Sequence, residues 1–396
     1  MPSLSRVSLV IAALAATFFA IVQRRLAVDG IGREVVPLNN EQCYDIPGLE
    51  ACEDAWADNA SGKAYLVCSD HYSRIAWVPA IPHLNASALP QLSTDYLALL
   101  DIPSRSFSKI RLTDLPDEAQ GIWVHGLDVF RSPSSPSRLT LFINSHRPPS
   151  DRALSAETGA ESVIEVFETE LGSEEARWVR TIEHELVRTP NNMAAVSETG
   201  VYITNDHRYK VHWSRKWEKW YSVPSDIVYC DFSSPTTHCK VAADNVVYPN
   251  GITKGAGDTL YSASTLGAHV KVWSINADDT LSLVQTLSLA RPFDNLHYDA
   301  PTNTVYAMAL AKMLDFGEVG KTGGLSGATS AVEVWRVRKA EGAERKGGKK
   351  YTAELAFADT GAIVSASTAA APYRDSLLFA GLFADKAVVC KIKRAG

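Results

Sequence analysis

Four polar doublets are spread along the chain, each in an apolar, strand-like context: Glu53-Asp54, Asn191-Asn192, Asn250-Gly251 and Asp294-Asn295. The side chains among them that can bind a metal offer carboxylate or amide oxygen, which is the ligand chemistry of a hard cation and of calcium above all. Taken singly, each doublet is better explained as a turn, because Asn, Asp and Gly tolerate left-handed backbone. Asn-Gly in particular is the commonest hairpin signal. The doublets therefore predict a metal-centred site only if the fold brings them together.

Strand alternation adds a second expectation for these doublets. Successive side chains of a strand point to opposite sides. Two adjacent oxygen donors on one strand would therefore serve two neighbouring sites, with Glu53 at one and Asp54 at the other.

Length and charge limit the class of protein. The chain has 396 residues, 46% of them hydrophobic, and a formal charge of −6 at pH 7. Nucleic-acid binding is not expected, since the basic footprint of such proteins is missing. The basic stretch 336–350 is typical of a solvated loop. Closed all-β folds often run long as one unit, so we expect a single catalytic domain over residues 36–396.

An apolar run occupies residues 8–22 (SLVIAALAATFFAIV). It is shorter than the roughly 20 residues of an ideal spanning helix and matches the hydrophobic part of a signal sequence. We expect residues 1–35 to be an uncleaved signal or signal anchor, with a cleaved peptide as the alternative. Arg24-Arg25 on its far flank argues against a lumenal domain, because positive charge prefers the cytoplasm.

Two other features favour the secretory pathway, with the domain secreted or membrane-anchored and facing the lumen or exterior. Asn59-Ala60-Ser61 and Asn85-Ala86-Ser87 are acceptor sequons for N-glycosylation. The six cysteines form no CxxC pair, and their even number suits an oxidising compartment.

The cysteines allow several pairings. Cys230 and Cys239 flank a short turn and suit a local bridge, while Cys43 and Cys390 stand near the two ends of the domain. Cys52 with Cys68 is the remaining combination, and the residues alone leave these pairings open.

Short runs rich in β-branched and aromatic residues follow from Cys43 onwards, as in 64–68 (AYLVC), 139–143 (LTLFI) and 304–308 (TVYAM). They alternate with turn residues, which indicates strands. A looser unit of turn, strand and later aromatic-ended strand recurs about every 40 to 60 residues, which is typical of propeller blades. The pattern predicts an all-β propeller of about six blades, with a tandem of β-sandwiches as the alternative. Residues 310–316 (LAKMLDF) could form a short helix.

A family resemblance rests on a set of short motifs that keep a common order. They are Cys52-Glu53-Asp54, Val124-His125-Gly126-Leu127, Ile143-Asn144-Ser145-His146, residues 181–186 leading to Asn191-Asn192, residues 204–207, Asn250-Gly251-Ile252, Asp294-Asn295 and residues 386–390. In these motifs the chain resembles the serum paraoxonase/arylesterase family, six-bladed propellers that hydrolyse lactones and aryl esters with calcium. The resemblance implies a disulfide between Cys43 and Cys390 and a retained hydrophobic N-terminus.

The resemblance also implies two ion sites. A catalytic calcium would be held by Glu53, Asn191, Asn250, Asp294 and Asn295. A buried structural calcium would be held by Asp54, Asn192 and the main-chain carbonyl of Leu127. The family usually has Asp at the position of Asn192. Because Asn supplies one neutral oxygen, the second site should bind its ion more weakly.

His125 and His146 match the two family histidines proposed as a catalytic dyad. Histidine is the natural base near neutral pH, and a second histidine can orient it. The alternative role for a histidine near a metal is to orient a ligand carboxylate. Tyr248, two residues before Asn250, is a candidate wall of the substrate pocket.

The resulting hypothesis is a calcium-dependent hydrolase whose substrate is a small lactone or ester and whose N-terminal segment meets a membrane. The ion would polarise the carbonyl as a Lewis acid, and His125 or a carboxylate such as Asp294 or Glu53 would activate water. The sequence has no GxSxG elbow, which disfavours a serine hydrolase. The alternatives are a non-catalytic, calcium-stabilised binding module and a related sugar-lactonase or strictosidine-synthase-like propeller. The paired histidines favour the first hypothesis.

Overall fold

Six β-sheets stand around a central axis, so that the predicted six-bladed propeller is confirmed. The computed structural model describes residues 4–119, 121–218, 220, 223–342, 348 and 350–393. Blades one to six follow one another round the ring in the order in which their inner strands occur in the chain.

From the axis outwards, the strands of each blade follow. Blade one has β2 (Cys52–Ala57), β3 (Lys63–Cys68), β6 (Tyr96–Asp101) and β7 (Ser106–Lys109). Blade two has β9 (Val124–Arg131), β10 (Arg138–Arg147), β11 (Glu161–Glu170), β12 (Glu175–Ile182) and β8 (Arg111–Thr113). Blade three has β13 (Pro190–Ala195), β14 (Gly200–Asn205), β15 (Ser225–Asp231) and β16 (His238–Val246). Blade four has β17 (Pro249–Lys254), β18 (Thr259–Ser264), β19 (His269–Ile275) and β20 (Leu281–Ser288). Blade five has β21 (Phe293–Asp299), β22 (Thr304–Leu310), β23 (Val332–Lys339) and β24 (Tyr351–Asp359). Blade six has β25 (Ala369–Tyr373), β26 (Ser376–Ala380), β27 (Ala387–Lys391) and β1 (Cys43–Ile46).

Other elements lie outside the blades. A small hairpin consists of β4 (Trp77–Val78) and β5 (His83–Leu84). The helices are α1 (Leu4–Asp29), α2 (His71–Ala76), α3 (Ser155–Thr158) and α4 (Met313–Lys321), and 3₁₀ turns occur at Ala86–Ala88, Asp117–Ala119, Arg152–Leu154 and Trp213–Trp217. The short helix expected at residues 310–316 begins three residues later and runs further, because Leu310 still belongs to β22.

The hydrophobic core is divided among the gaps between neighbouring blades. Leu66 of blade one packs with Leu378 of blade six, and Leu97 of blade one packs with Leu141 of blade two. Similar apolar clusters fill the remaining gaps round the ring. The first four residues of every inner strand are buried. Polar residues at these positions must therefore find partners near the axis.

The ring closes between the first and last strands of the propeller. β1 pairs antiparallel with β27, Cys43 lies opposite Cys390, and a disulfide joins the two. Further disulfides join Cys52 to Cys68 and Cys230 to Cys239, each across one pair of neighbouring strands. The three bridges include all six cysteines.

Helix α1 is an exposed apolar helix whose last turns rest on the propeller. Its Leu9–Asp29 portion is long and apolar enough to cross a membrane, a test that signal sequences also pass. Arg25 is buried and donates to Asp29 at 2.8 Å. Arg24 donates to the carbonyl of Gly267 at 3.3 Å in blade four. Arg24 therefore attaches the helix to the propeller, whereas the Arg25–Asp29 pair lies within the helix.

Candidate active site

The polar doublets lie in β-bulges of the inner strands. Between Pro249 and Ile252, β17 advances three residues while its partner advances two, from Ser264 to Ser262. One extra residue interrupts the register in the same way at Glu53, at His125-Gly126, at Asn191-Asn192 and at Asp294-Asn295. A bulge re-aims side chains that regular alternation would send to opposite faces. The doublets therefore reach the axis together, and Asn250-Gly251 forms part of a strand instead of a hairpin turn.

Two glycines let the inner strands come close enough for this meeting. A Cβ on Gly251 would lie 2.5 Å from the carbonyl oxygen of Asp294 and 2.6 Å from the Cα of Asn295. A Cβ on Gly126 would lie 2.6 Å from the carbonyl oxygen of Asn191. Each glycine thus permits close backbone approach between adjacent blades.

Three oxygen atoms face one cavity at the axis without an internal partner. Within the described chain, Glu53 Oε2, Asn191 Oδ1 and Asn250 Oδ1 are buried and accept no hydrogen bond. These three residues and Asp294 line the same cavity, of about 380 Å³. Buried acceptors are rarely left unpaired, so these three atoms, which we call the unpaired oxygens, suit a ligand that takes electron pairs.

Hydrogen bonds fix which end of each amide faces the cavity. The Asn250 Nδ2 donates to Thr265 Oγ1 at 3.0 Å, and Thr265 donates in turn to the carbonyl of Phe293 at 2.8 Å. The Asn191 Nδ2 donates to Asp206 Oδ2 at 3.3 Å. Because both amide nitrogens are held, both amide oxygens are left to the cavity.

The two carboxylates at this site repel each other's charge. Burial, followed by the charges of Asp54 and Asp294, raises the pKa of Glu53 well above its usual range. Burial also raises the pKa of Asp294 to about 7, with a further rise from Asp54 and an opposing effect of the hydrogen bond from Asn250. The donor set of two carboxylates and two neutral amide oxygens, with its three unpaired oxygens, fits a calcium ion.

Acidic and imidazole side chains alone do not make up this donor set. Within the described ranges, no group of three or more His, Cys, Asp or Glu side chains is placed to hold a metal. The reason is that two of the four candidate donors here are amides, which such a group does not include. Asn295, also expected as a ligand, donates through Nδ2 to Glu53 Oε1 at 2.9 Å and so positions that carboxylate.

Asp54 and Asn192 lie together behind this layer. Both are almost fully buried, and the Asn192 Nδ2 donates to Asp54 Oδ2 at 3.0 Å. The main-chain N–H of Leu127 also donates to Asp54 Oδ2, at 3.1 Å. The structure thus brings together the residues expected for the second ion.

His125 and His146 form a buried pair, with ring centres 5.1 Å apart. The Asn191 Nδ2 lies 3.3 Å from His125 Nε2, and Ser162 Oγ lies 2.8 Å from His146 Nδ1. Burial and then the neighbouring His146 lower the pKa of His125 well below its usual value, and burial lowers the pKa of His146 to about 4. Of the two, His125 lines the cavity.

A chain of polar contacts leads from Asn191 to the cavity rim. Asp206 Oδ1 lies 2.8 Å from His207 Nδ1, and His207 Nε2 lies 3.1 Å from Glu218 Oε2. Burial raises the pKa of Asp206, but the His207 and Arg215 side chains outweigh it and hold the pKa low. The sequence analysis assigned no role to these residues, although His207 belongs to the motif at residues 204–207 that contributes to the family resemblance.

Tyr248 lines the same cavity and has a strained backbone conformation. Its φ of +40° is unusual for a bulky residue. The hydroxyl donates to the carbonyl of Ala80 at 3.1 Å, and the ring packs edge-on against His207 at 4.7 Å. Strain of this kind persists where surrounding contacts determine the geometry, often beside a functional site.

The cavity has an apolar side that the sequence did not reveal. Its walls come from the β4–β5 hairpin, the end of β22, helix α4 and the β26–β27 loop, through Ile81, Leu310, Met313, Phe316, Leu382 and Phe383. Arg25 of α1 and Arg215 also reach the lining. The six apolar residues lie on four separate segments, so only the fold unites them.

The two sequons differ in exposure. Asn85 is exposed. Asn59 is half-buried, and its Nδ2 donates to Asp299 Oδ1 at 2.9 Å. Of the two expected glycosylation sites, Asn85 is the more accessible.

Comparison with known proteins gives consistent matches. A family model described as Arylesterase matches residues 96–392. Serum paraoxonase/arylesterase 1 of Rattus norvegicus is 25% identical over 367 residues, with 91% of each chain covered. Serum paraoxonase/lactonase 3 of Homo sapiens is 21% identical over 380 residues, again with 91% of each chain covered. The Malassezia sympodialis allergen Mala s 1 has a TM-score of 0.54 at 11% identity, over 89% of this chain and 96% of its own, a likeness of fold alone.

Proposed function

Because the chain belongs to the arylesterase family, whose paraoxonase members are calcium-dependent ester hydrolases, we propose that it hydrolyses lactones and aryl esters with calcium. Fold alone would not support this step, since propellers host many functions. The observation that carries the proposal is the convergence of the unpaired oxygens with Asp294 on the floor of one cavity.

Glu53, Asn191, Asn250 and Asp294 would hold the ion. When bound, calcium supplies a Lewis acid that polarises the substrate carbonyl. Asn295 orients Glu53, Thr265 orients Asn250, and Asp206 orients Asn191. Such outer partners hold the ligands in position for binding.

His125 is the proposed base that activates water. The Asn191 amide donates towards Nε2, which places the lone pair of a neutral ring on Nε2 and its proton on Nδ1. The lone pair therefore points at the amide of Asn191, one of the proposed ligands, where a water molecule could replace the long 3.3 Å contact. His146 would support the ring at 5.1 Å, and Asp294 or Glu53 is the alternative base.

The apolar walls suit the acyl or aryl part of the substrate. The rings of Phe316 and Phe383 pack at an interplanar angle of 51°, with their centres 5.5 Å apart, and Leu310 and Met313 extend the same surface. An ester carbonyl at the polar floor would place its hydrocarbon part against these residues and away from water.

The direct test measures hydrolysis of phenyl acetate and of a lactone series by the full-length protein in detergent, before and after exhaustive calcium removal. Activity should disappear with chelation and return with added calcium. Asp294→Asn should lower the rate at least about 100-fold, while the exposed Asp385→Asn should not change it. Full activity without calcium would refute the metal role. Calcium-dependent melting without turnover of any substrate would instead identify a binding module.

We also propose that α1 remains as a signal anchor and that residues 36–396 face the lumen or exterior. The exposed apolar helix and the three disulfides support this location. Mass spectrometry of the mature protein should find the N-terminal segment and a glycan at Asn85. A mature chain beginning after α1 would show a cleaved signal peptide.

A further inference from the structure

We propose that this chain closes the second, structural ion position with its own hydrogen bonds, so that Asp54 and Asn192 hold no calcium. A single ion would then occupy the axis, at Glu53, Asn191, Asn250 and Asp294. The single-ion part rests on the proposed function, whereas the closure rests on the contacts of Asp54 and Asn192 themselves.

The Asp54 carboxylate is already saturated with donors. Its Oδ1 accepts from the Ala55 N–H at 2.9 Å and from His297 Nε2 at 3.0 Å. Its Oδ2 accepts from the Leu127 N–H at 3.1 Å and from Asn192 Nδ2 at 3.0 Å. An ionised carboxylate has about four lone-pair sites, and four donors use them. A cation here would have to displace them.

Asn192 presents the wrong end of its amide to a cation. Its Oδ1 accepts from the Met193 N–H at 2.6 Å, which fixes the orientation of the group. Its Nδ2 donates to Asp54 Oδ2 and, at 2.6 Å, to Asn295 Oδ1. Turning the amide would lose all three bonds and set its oxygen against two other oxygens.

The amide nitrogen of Asn192 thus donates to both Asp54 Oδ2 and Asn295 Oδ1, two oxygens that an ion would otherwise bring together. A carboxylate at this position would be repelled by Asp54, and a cation would be needed between them. The Leu127 residue takes part through its N–H, and His297 adds a further donor from β21.

At the first ion position, within the described chain, three oxygen acceptors are unpaired. Glu53 Oε2, Asn191 Oδ1 and Asn250 Oδ1 are buried and unpaired, whereas both oxygens of Asp54 and the oxygen of Asn192 are paired. Two adjacent layers of the same axis therefore differ in the property that decides cation binding, the availability of lone pairs.

The test counts calcium per chain by elemental mass spectrometry on full-length protein, dialysed in calcium and freed of excess ion. We expect one ion per chain, lost with Asp294→Asn and kept with Asp54→Asn. Asn192→Asp should raise the count to two and add a second chelator-sensitive step to thermal unfolding.

Two ions in the native protein would overturn the inference. So would one ion that Asp54→Asn removes and Asp294→Asn retains. A count that stays at one in the Asn192→Asp variant would overturn the role given to the Asn192 amide. A count of zero in the native protein would overturn the proposed catalytic ion and agree with the closed second position, so the two failures are distinguishable. The native count needs no variant and stands even if Asp54→Asn fails to fold.

Discussion

Asp206 should control calcium affinity without touching the ion. Its Oδ2 accepts from the Asn191 amide, and its Oδ1 is held by His207 at 2.8 Å. In the Asp206→Asn variant one of these two acceptors becomes an NH₂ group. The Asn191 amide then loses the charged partner that fixes it and can turn, which presents Nδ2 to the ion in place of Oδ1.

The magnitude follows from the length of the hydrogen bond. A bond to a charged group contributes about 1.5 to 3 kcal/mol. The 3.3 Å separation is longer than the usual 2.9–3.0 Å for N–H···O bonds, which favours the lower figure. About 1.5 kcal/mol corresponds to a rise of roughly tenfold in the calcium dissociation constant.

The assay is a calcium titration of chelator-treated protein, followed by phenyl acetate hydrolysis and, independently, by melting temperature. Asp226→Asn is a matched control, because Asp226 is also buried in blade three and bound to Asn205 at 2.7 Å and to Arg188. It should lower stability and leave the calcium midpoint unchanged. An unshifted midpoint for Asp206→Asn, or equal shifts for both variants, would refute the reasoning.

Three further predictions concern stability and packing. Replacing Cys43 and Cys390 by Ser should lower the free energy of unfolding by about 6 kcal/mol, against about 2.6 kcal/mol for the pair Cys230 and Cys239. The difference arises because the two bridges span 347 and 9 residues. Equal losses in urea denaturation would contradict this loop-entropy argument. Gly251→Ala should weaken calcium binding, because the new Cβ would lie 2.5 Å from the carbonyl oxygen of Asp294 in blade five. Gly317→Ala is the control, since a Cβ there meets nothing within 4 Å. Similar calcium midpoints for the two variants would disprove the close approach. Burial lowers the pKa of His146 to about 4, so the native state stays neutral while the unfolded state takes up a proton below its ordinary pKa of about 6.5. The stability advantage of the native protein over His146→Gln should therefore shrink by roughly 3 kcal/mol as the pH falls from 7 to 4; a parallel pH dependence of denaturation in both proteins would argue against a neutral buried ring.

The ring could be predicted from sequence because its signals are local and repeated. Short alternating strands, such as β3 and β22, form as their residue types indicate. The meeting of the doublets could be predicted only through the family resemblance. The physical device that unites them, a bulge in each of five inner strands, adds one residue and leaves no compositional sign. Asn250-Gly251 illustrates this, since its letters favour a turn and its neighbours in blade five require a strand.

The pocket walls could not be predicted for a different reason. Phe316 and Phe383 are 67 positions apart and belong to a helix and a loop. Nothing in their local patterns relates them to Tyr248, which was predicted only because it lies two residues before Asn250 in the sequence. Asp206 and Glu218 were also not predicted, because residue type alone does not distinguish a buried acid from a surface acid.

The bridge that closes the ring also imposes an order on biosynthesis. Cys43 emerges near the start of the domain, and its partner Cys390 is made 347 residues later. At about 5 to 20 residues per second, that interval is roughly 20 to 70 s. During this wait Cys52 and Cys68, only 16 residues apart, can join and remove themselves as wrong partners for Cys43. Early formation of the Cys52–Cys68 disulfide thus prevents mispairing of Cys43 before Cys390 is made. In an oxidising compartment that acts during translation, the short disulfide would form first and the ring-closing disulfide last.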